Sequence, residues 1–182
     1  MGRYVAFLRA INVGGHTVKM ADLRQSFEAL GFANIETFIA SGNVIFEATR
    51  TGARAASALE SRIETALQDD LGYRVDTFIR TAKELRGIAA YQPFGDSEIT
   101  APGSRLFVAF VGKPPAAELV DRLMALSGGI DSFRVHGREV YWLVRGRYSD
   151  SRFSGTLLER TLGMPATVRG AATVAKIAAK LG

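Results

Sequence analysis

Residues 35–46 read IETFIASGNVIF, and this stretch decides the fold. Two runs rich in β-branched and aromatic residues, Ile35 to Ala40 and Val44 to Phe46, flank Ser41-Gly42-Asn43, whose residue types suit a tight turn. The segment therefore predicts a hairpin, and its neighbours on both sides predict helices. Upstream, Met20, Leu23, Phe27 and Leu30 recur at helical spacing, with Gly31 where a helix stops. Downstream, Leu59, Ile63, Leu67 and Leu71 repeat every four residues before Gly72. An apolar run from Tyr4 to Leu8 precedes the first helix, and an alternating stretch from Tyr73 to Arg80 follows the second. The order is strand, helix, strand, strand, helix, strand, which is the split βαβ or ferredoxin-like unit.

The same order returns further along. Leu106 to Val111 reads as a strand, and Leu119 to Leu126 carries a helical stripe. Phe133 to Val135 and Val140 to Val144 flank a turn at His136-Gly137-Arg138. A helix over Ser151 to Leu162, a short strand at Thr167 to Arg169 and a helix over Ala172 to Leu181 complete the chain. Ile35-Glu36-Thr37-Phe38 before Gly42 parallels Ile130-Asp131-Ser132-Phe133 before Gly137 at the same spacing, as expected of a duplication. The expectation is an α/β (α+β) chain of two tandem ferredoxin-like halves with antiparallel sheets and a C-terminal helix. The halves fall at 1–80 and 105–182, with a helix and a Pro/Gly-rich connector at 81–104.

Composition narrows the function classes. The 182 residues are 47% hydrophobic and 23% charged, as in ordinary globular proteins. Cysteine is absent, which removes a disulfide framework, a thiolate zinc site and a cysteine nucleophile. The longest apolar runs are far shorter than the roughly 18 residues of a membrane span, so a cytoplasmic chain with no membrane association is expected. The net charge of +5, with 18 Arg among the 23 basic residues, favours anionic partners. No phosphate-loop, dinucleotide, zinc-protease or nucleophile-elbow motif occurs, so no cofactor, metal site or catalytic constellation is read.

Topology suggests where a ligand would sit. In a split βαβ unit the first and second strands run parallel, so the loop after strand one and the hairpin after strand two share one sheet end. That end gathers Arg9, Asn12, Gly14, Gly15 and Lys19 with Ser41 and Asn43. Glycines let backbone N–H groups turn toward an anion, a following helix adds its N-terminal donors, and Arg9 or Lys19 adds charge. Turn formation alone would also explain Gly14-Gly15, Asn12 and the Ser41-Gly42-Asn43 segment. His16 in the same loop is a candidate acid or base, and Arg152 and Arg169 are secondary candidates. The favoured expectation is a binder of a small phosphate- or carboxylate-bearing molecule. Two others stand beside it. Arg134, Arg138, Arg145, Arg147 and Arg152 interleave with Tyr141, Trp142, Tyr148 and Phe153, a composition suited to single-stranded nucleic acid. A structural or protein-interaction module, with the loop residues serving only turns, is the third.

The opening YVAFLRAINVGG, then Lys19-Met20, LGF at 30–32 and TFIASGNVIF resembles the 1697 family of domains of unknown function. The matching positions are Leu8, Arg9, Ile11, Asn12, Val13, Gly14, Gly15, Lys19, Met20, Ser41, Gly42 and Asn43, and Ser151-Arg152-Phe153 falls where the family tends to carry S-K-L. The resemblance implies a duplicated ferredoxin-like protein and supplies no activity. Near the C-terminus the family tends toward T-x-R-N-W-N-T-V. Here Thr167, Arg169, Thr173 and Val174 agree, whereas Gly170, Ala171 and Ala172 replace the Asn-Trp-Asn.

Overall fold

The structure, a computed structural model, describes residues 1–12, 15, 17–39, 42–49 and 53–182. The first eight elements are β1 (Gly2–Leu8), α1 (Met20–Ala29), β2 (Ala33–Thr37), β3 (Asn43–Ala48), α2 (Ala53–Leu71), β4 (Thr77–Thr81), α3 (Ala82–Ala90) and the short α4 (Asp96–Ile99). The second series is β5 (Ser104–Val111), α5 (Ala117–Met124), β6 (Asp131–His136), β7 (Glu139–Arg145), α6 (Gly155–Leu162), β8 (Ala166–Gly170) and α7 (Ala171–Leu181). Each series forms a four-stranded antiparallel sheet, in the orders β2-β3-β1-β4 and β6-β7-β5-β8. These are two tandem ferredoxin-like halves. No helix among the described residues is long and apolar enough to cross a membrane.

The chain divides into two compact units, Met1–Gly87 with Ile177–Gly182, and Ile88–Lys176. In the first, β1 is central, and Tyr4 to Leu8 are each at most 1% exposed. Tyr4, Ala6 and Leu8 share a face with Val44 and Phe46, against Leu23 and Phe27 of α1 and Leu59, Ile63 and Leu67 of α2. The last residues of α7 are tied into this unit: Arg3 Nη1 donates to Leu181 O at 3.4 Å, and Lys180 pairs with Glu36. In the second unit, Ala109, Phe133, Val140 and Trp142 pack against Leu123 of α5 and Leu158 and Leu162 of α6.

Duplication is written in the backbone more deeply than in the letters. Asn34 (φ 49°) and Gly129 (φ 57°) hold the same left-handed step before Ile35 and Ile130. Arg80 of β4 lies opposite Val5, and Arg169 of β8 lies opposite Val108. Each is buried and donates from Nη1 to the carbonyl of the residue before it, at 2.9 Å.

The edge strand β4 is closed by carboxylates, and the first residue of β8 is bonded in the same way. The N–H groups of Thr77 and Ile79 donate to Glu64 Oε1 at 2.9 Å and to Glu60 Oε1 at 2.8 Å, one helical turn apart on α2. Thr81 N–H donates to Glu84 Oε2 at 2.8 Å, a capping box that also starts α3. Ala166 N–H of β8 donates to Glu159 Oε1 at 2.8 Å. An edge whose donors are filled offers no template to another strand. Glu60→Ala should therefore cost about 1–2 kcal/mol by orphaning the Ile79 N–H. Glu60→Gln, whose side-chain carbonyl still accepts, should cost less. Urea unfolding followed by far-UV circular dichroism compares the two.

Several boundaries differ from the sequence expectations. The strand expected over Tyr73 to Arg80 begins only at Thr77, because Asp76 is drawn into the sheet-end contacts described below. β2 ends at Thr37, and Phe38 N–H donates to Asn43 O at 2.9 Å, so the hairpin carries a wider loop than a tight turn. The helix expected from Ser151 starts at Gly155, where the Ser154 side chain accepts the Leu157 N–H.

Candidate functional site

The sheet end predicted to hold a ligand is stitched together at the backbone. Leu8 N–H donates to Gly42 O at 2.8 Å, and Arg9 N–H donates to Asp76 O at 2.9 Å. The exit of β1 is thereby tied to the hairpin and to the segment before β4. Arg9 Nη1 lies 3.5 Å from Asp76 Oδ2, and Arg74 approaches Asp76 Oδ1 through Nε and Nη2, each at 2.8 Å. The Asp76 side chain is 11% exposed, against 36% for Arg9 and 71% for Arg74. One shielded carboxylate thus holds two guanidinium groups, and their charges exceed its own. Asp76 and Arg74 were not among the sequence candidates, since Arg74 and Asp76 alternate with apolar residues as a strand's wet face would.

The other predicted residues divide by what they do. Asn12 (φ 59°) accepts the Val18 N–H on Oδ1 at 2.6 Å, closing the loop over buried Ile11 and Val18. Asn43 is 1% exposed and donates from Nδ2 to Phe38 O at 2.9 Å. Both side chains hold the protein's own backbone. Gly15 (φ +88°) has open space where a Cβ would stand, so its requirement is conformational. Lys19 is exposed at the start of α1 and makes no side-chain cap. Gly14, His16 and Ser41 lie outside the described residues. Among the described residues no group of three or more His, Asp or Glu is placed to hold a metal ion.

In the second unit the arginine-and-aromatic segment folds differently from a stacking surface. Tyr141, Trp142 and Phe153 are 1%, 2% and 7% exposed, and Tyr148 alone of the four rings is open, at 47%. Tyr141 and Trp142 point to opposite faces of β7, and both faces are covered: Tyr141 meets the Tyr91 ring at 4.9 Å, and Trp142 meets Phe153 at 5.0 Å. Arg134 lies over the Phe94 ring. Arg145 donates to Ser132 Oγ at 2.9 Å and to Glu98 Oε1 at 2.6 Å. That guanidinium, with the Gly95 N–H, holds the Glu98 carboxyl below its ordinary range. Arg169, 8% exposed, donates to Thr167 Oγ1 at 2.7 Å; burial lowers its guanidinium to about 10, so it stays charged at neutral pH.

Asp131 organises the loop after β7. Its Oδ1 accepts the Trp142 indole N–H at 2.7 Å and the Ser151 hydroxyl at 2.8 Å. The Ser151 Oγ in turn accepts the Phe153 N–H at 3.0 Å. A cavity of about 460 Å³ opens beside this knot, lined by Asp131, Asp150, Arg152 and Phe153 among others. A second cavity of about 440 Å³ is lined in part by Gly170, Ala171 and Ala172, the small residues that stand where the resemblance led to larger ones.

Comparison with known proteins agrees with this architecture. The chain is similar to the structure of conserved bacterial protein SP0830 from Streptococcus pneumoniae, at 20% identity and a TM-score of 0.74, over 100% of this chain and 99% of that one. At that identity the likeness shows the fold alone. No curated protein matches the chain. The model of a protein of unknown function, DUF1697, matches residues 1–141. That match spans well over half of the 182 residues, and the chain therefore belongs to the DUF1697 family of proteins of unknown function.

Proposed function

We propose that the chain is a cytoplasmic binding protein for a small phosphate- or carboxylate-bearing molecule, held at the loop end of the first unit's sheet. The observation that supports this is the pairing of Arg9 and Arg74 on the single shielded carboxylate of Asp76. Asp76 fixes the position of both guanidiniums at the exit of β1, which presents preorganised cationic groups at this sheet end. Arg9 serves as the anchor, since its side chain is 36% exposed and its guanidinium can make charge-assisted contacts to an anion's oxygens. Asn12 and Asn43 act indirectly, by keeping the loop and the hairpin in register.

The test is thermal unfolding and titration calorimetry with inorganic phosphate, pyrophosphate and citrate at low and moderate salt. A ligand at 100 times its Kd adds about 2.7 kcal/mol, several degrees for a chain of this length. Arg9→Ala should weaken the tightest of these anions about tenfold, the loss of one charge-assisted contact. Unchanged stabilisation in both Arg9→Ala and Lys19→Ala would overturn the reading.

A further inference from the structure

The second unit leaves part of its sheet uncovered, and the reason is length. β5 has eight residues and spans about 26 Å. α5 and α6 have eight residues each and span about 12 Å. They cover the Ala109 and Val111 end of β5, whereas Phe107 is only partly buried and Arg105, two residues earlier on the same face, is exposed. β8 also stops short. Its last residue, Gly170, lies opposite Phe107, so Ser104, Arg105 and Leu106 have β7 on one side and, among the described residues, no strand on the other.

Two cavities fill this gap. One, of about 520 Å³, is lined by Gly103, Arg105, Gly146, Arg147, Tyr148 and Ser149. The other is the cavity beside Gly170, whose lining includes Phe107 and again Arg105. Arg105 lines both spaces. Tyr148 rests on Phe107 and Trp142, with ring centroids at 5.4 and 5.5 Å, yet remains 47% exposed. Arg147 flanks it, 88% exposed and only 3.9 Å from Asp150 in a loose pair. No ion pair engages Arg105 among the described residues.

We propose that this is a binding site for a mononucleotide-class ligand, a flat heteroaromatic ring carrying a phosphate. The ring lies against Tyr148 and the exposed edge of Phe107, and the phosphate sits between Arg105 and Arg147. Rings supply stacking that any heterocycle can use, and paired guanidiniums supply the phosphate contacts. Each of the two spaces, about 440 and 520 Å³, is of the size that small-molecule sites occupy. This site is separate from the sheet end of the first unit and stands without it.

The experiment titrates AMP, adenosine and ribose 5-phosphate by calorimetry, and maps AMP by amide chemical-shift changes. Saturable AMP binding is expected, with adenosine and ribose 5-phosphate each about tenfold weaker. Tyr148→Leu and Arg105→Gln should each weaken AMP about tenfold while keeping the wild-type circular dichroism spectrum. Shift changes should gather at Gly103, Gly146 and Tyr148. Absence of AMP binding at millimolar concentration, or variants that fold and bind AMP as the wild type does, would overturn the proposal. Shift changes gathered at Arg9 and Gly42 would overturn it too, while leaving the first-unit reading intact. Single-stranded oligonucleotides whose affinity rises with length and falls steeply with salt would replace it with a strand-binding surface.

Discussion

Asp131→Ala should destabilise the second unit by about 2–4 kcal/mol, a fall in Tm of several degrees. The carboxylate, 8% exposed, accepts from both the Trp142 indole N–H and the Ser151 hydroxyl. An alanine would leave the indole N–H buried without its acceptor, and the cost of an orphaned donor exceeds the net worth of the bond itself. It would also free Ser151, which holds the Phe153 N–H and thereby seats the Phe153 ring against Phe133 and Trp142. Asp131→Asn keeps an acceptor for the indole and should cost about half as much or less. The readout is unusually direct, because Trp142 is the chain's sole tryptophan. Its fluorescence therefore reports the second unit, while far-UV circular dichroism reports both, and a variant that separates the two transitions shows the damage to be confined there. A Tm within one degree of wild type would show that the knot contributes nothing to stability.

The same knot shows why half of the molecule's chemistry was hidden in the sequence. Asp131 and Ser151 are 20 residues apart, and no local pattern joins them. Element order, by contrast, was legible because it rests on local signals. The four-residue repeat through Leu59, Ile63 and Leu67 and the stop at Gly72 mark α2 over the bounds observed, Ala53–Leu71. Paired hairpins placed between helices then imply the sheet order, since crossovers are right-handed and neighbouring strands in this unit run antiparallel. That reasoning also brought Arg9 and Gly42 to one end, where Leu8 N–H and Gly42 O meet. It failed at Tyr73 to Asp76, because alternation of apolar and charged residues looks the same in a half-wet strand and in a loop whose charges are used. Asp76 is used: it holds Arg9 and Arg74. At Tyr141 and Trp142 it went half way: neighbours on one strand face opposite sides, so at least one ring belongs to the core, and the structure buries both. β7 lies between β5 and β6 with both faces covered, and nothing in adjacent residues reports that.

Gly42→Ala should be the most damaging small substitution in the first unit, at about 2–4 kcal/mol. Two effects add. The residue sits at φ +77°, where a Cβ is strained against the backbone by about 1–2 kcal/mol. A Cβ there would also stand 2.8 Å from Ile11 Cγ2 and 3.1 Å from Leu8 Cβ. Ile11 and Leu8 are 3% and 1% exposed, so neither can swing outward to make room. The hairpin would have to back away from β1, and the bond from Leu8 N–H to Gly42 O, 2.8 Å long, is the first to lengthen. Gly72→Ala is the control: its φ is also +77°, but nothing lies within 4 Å of the added carbon, so only the backbone strain of about 1–2 kcal/mol applies. The difference between the two variants isolates the close approach of hairpin and loop. Amide exchange at Leu8 should quicken in Gly42→Ala and stay slow in Gly72→Ala. If the anion site lies where β1 and the hairpin meet, Gly42→Ala should also weaken phosphate binding while Gly72→Ala leaves it alone. Equal stability in the two variants would mean that the hairpin yields freely, and a site that depends on its register could not be preorganised there.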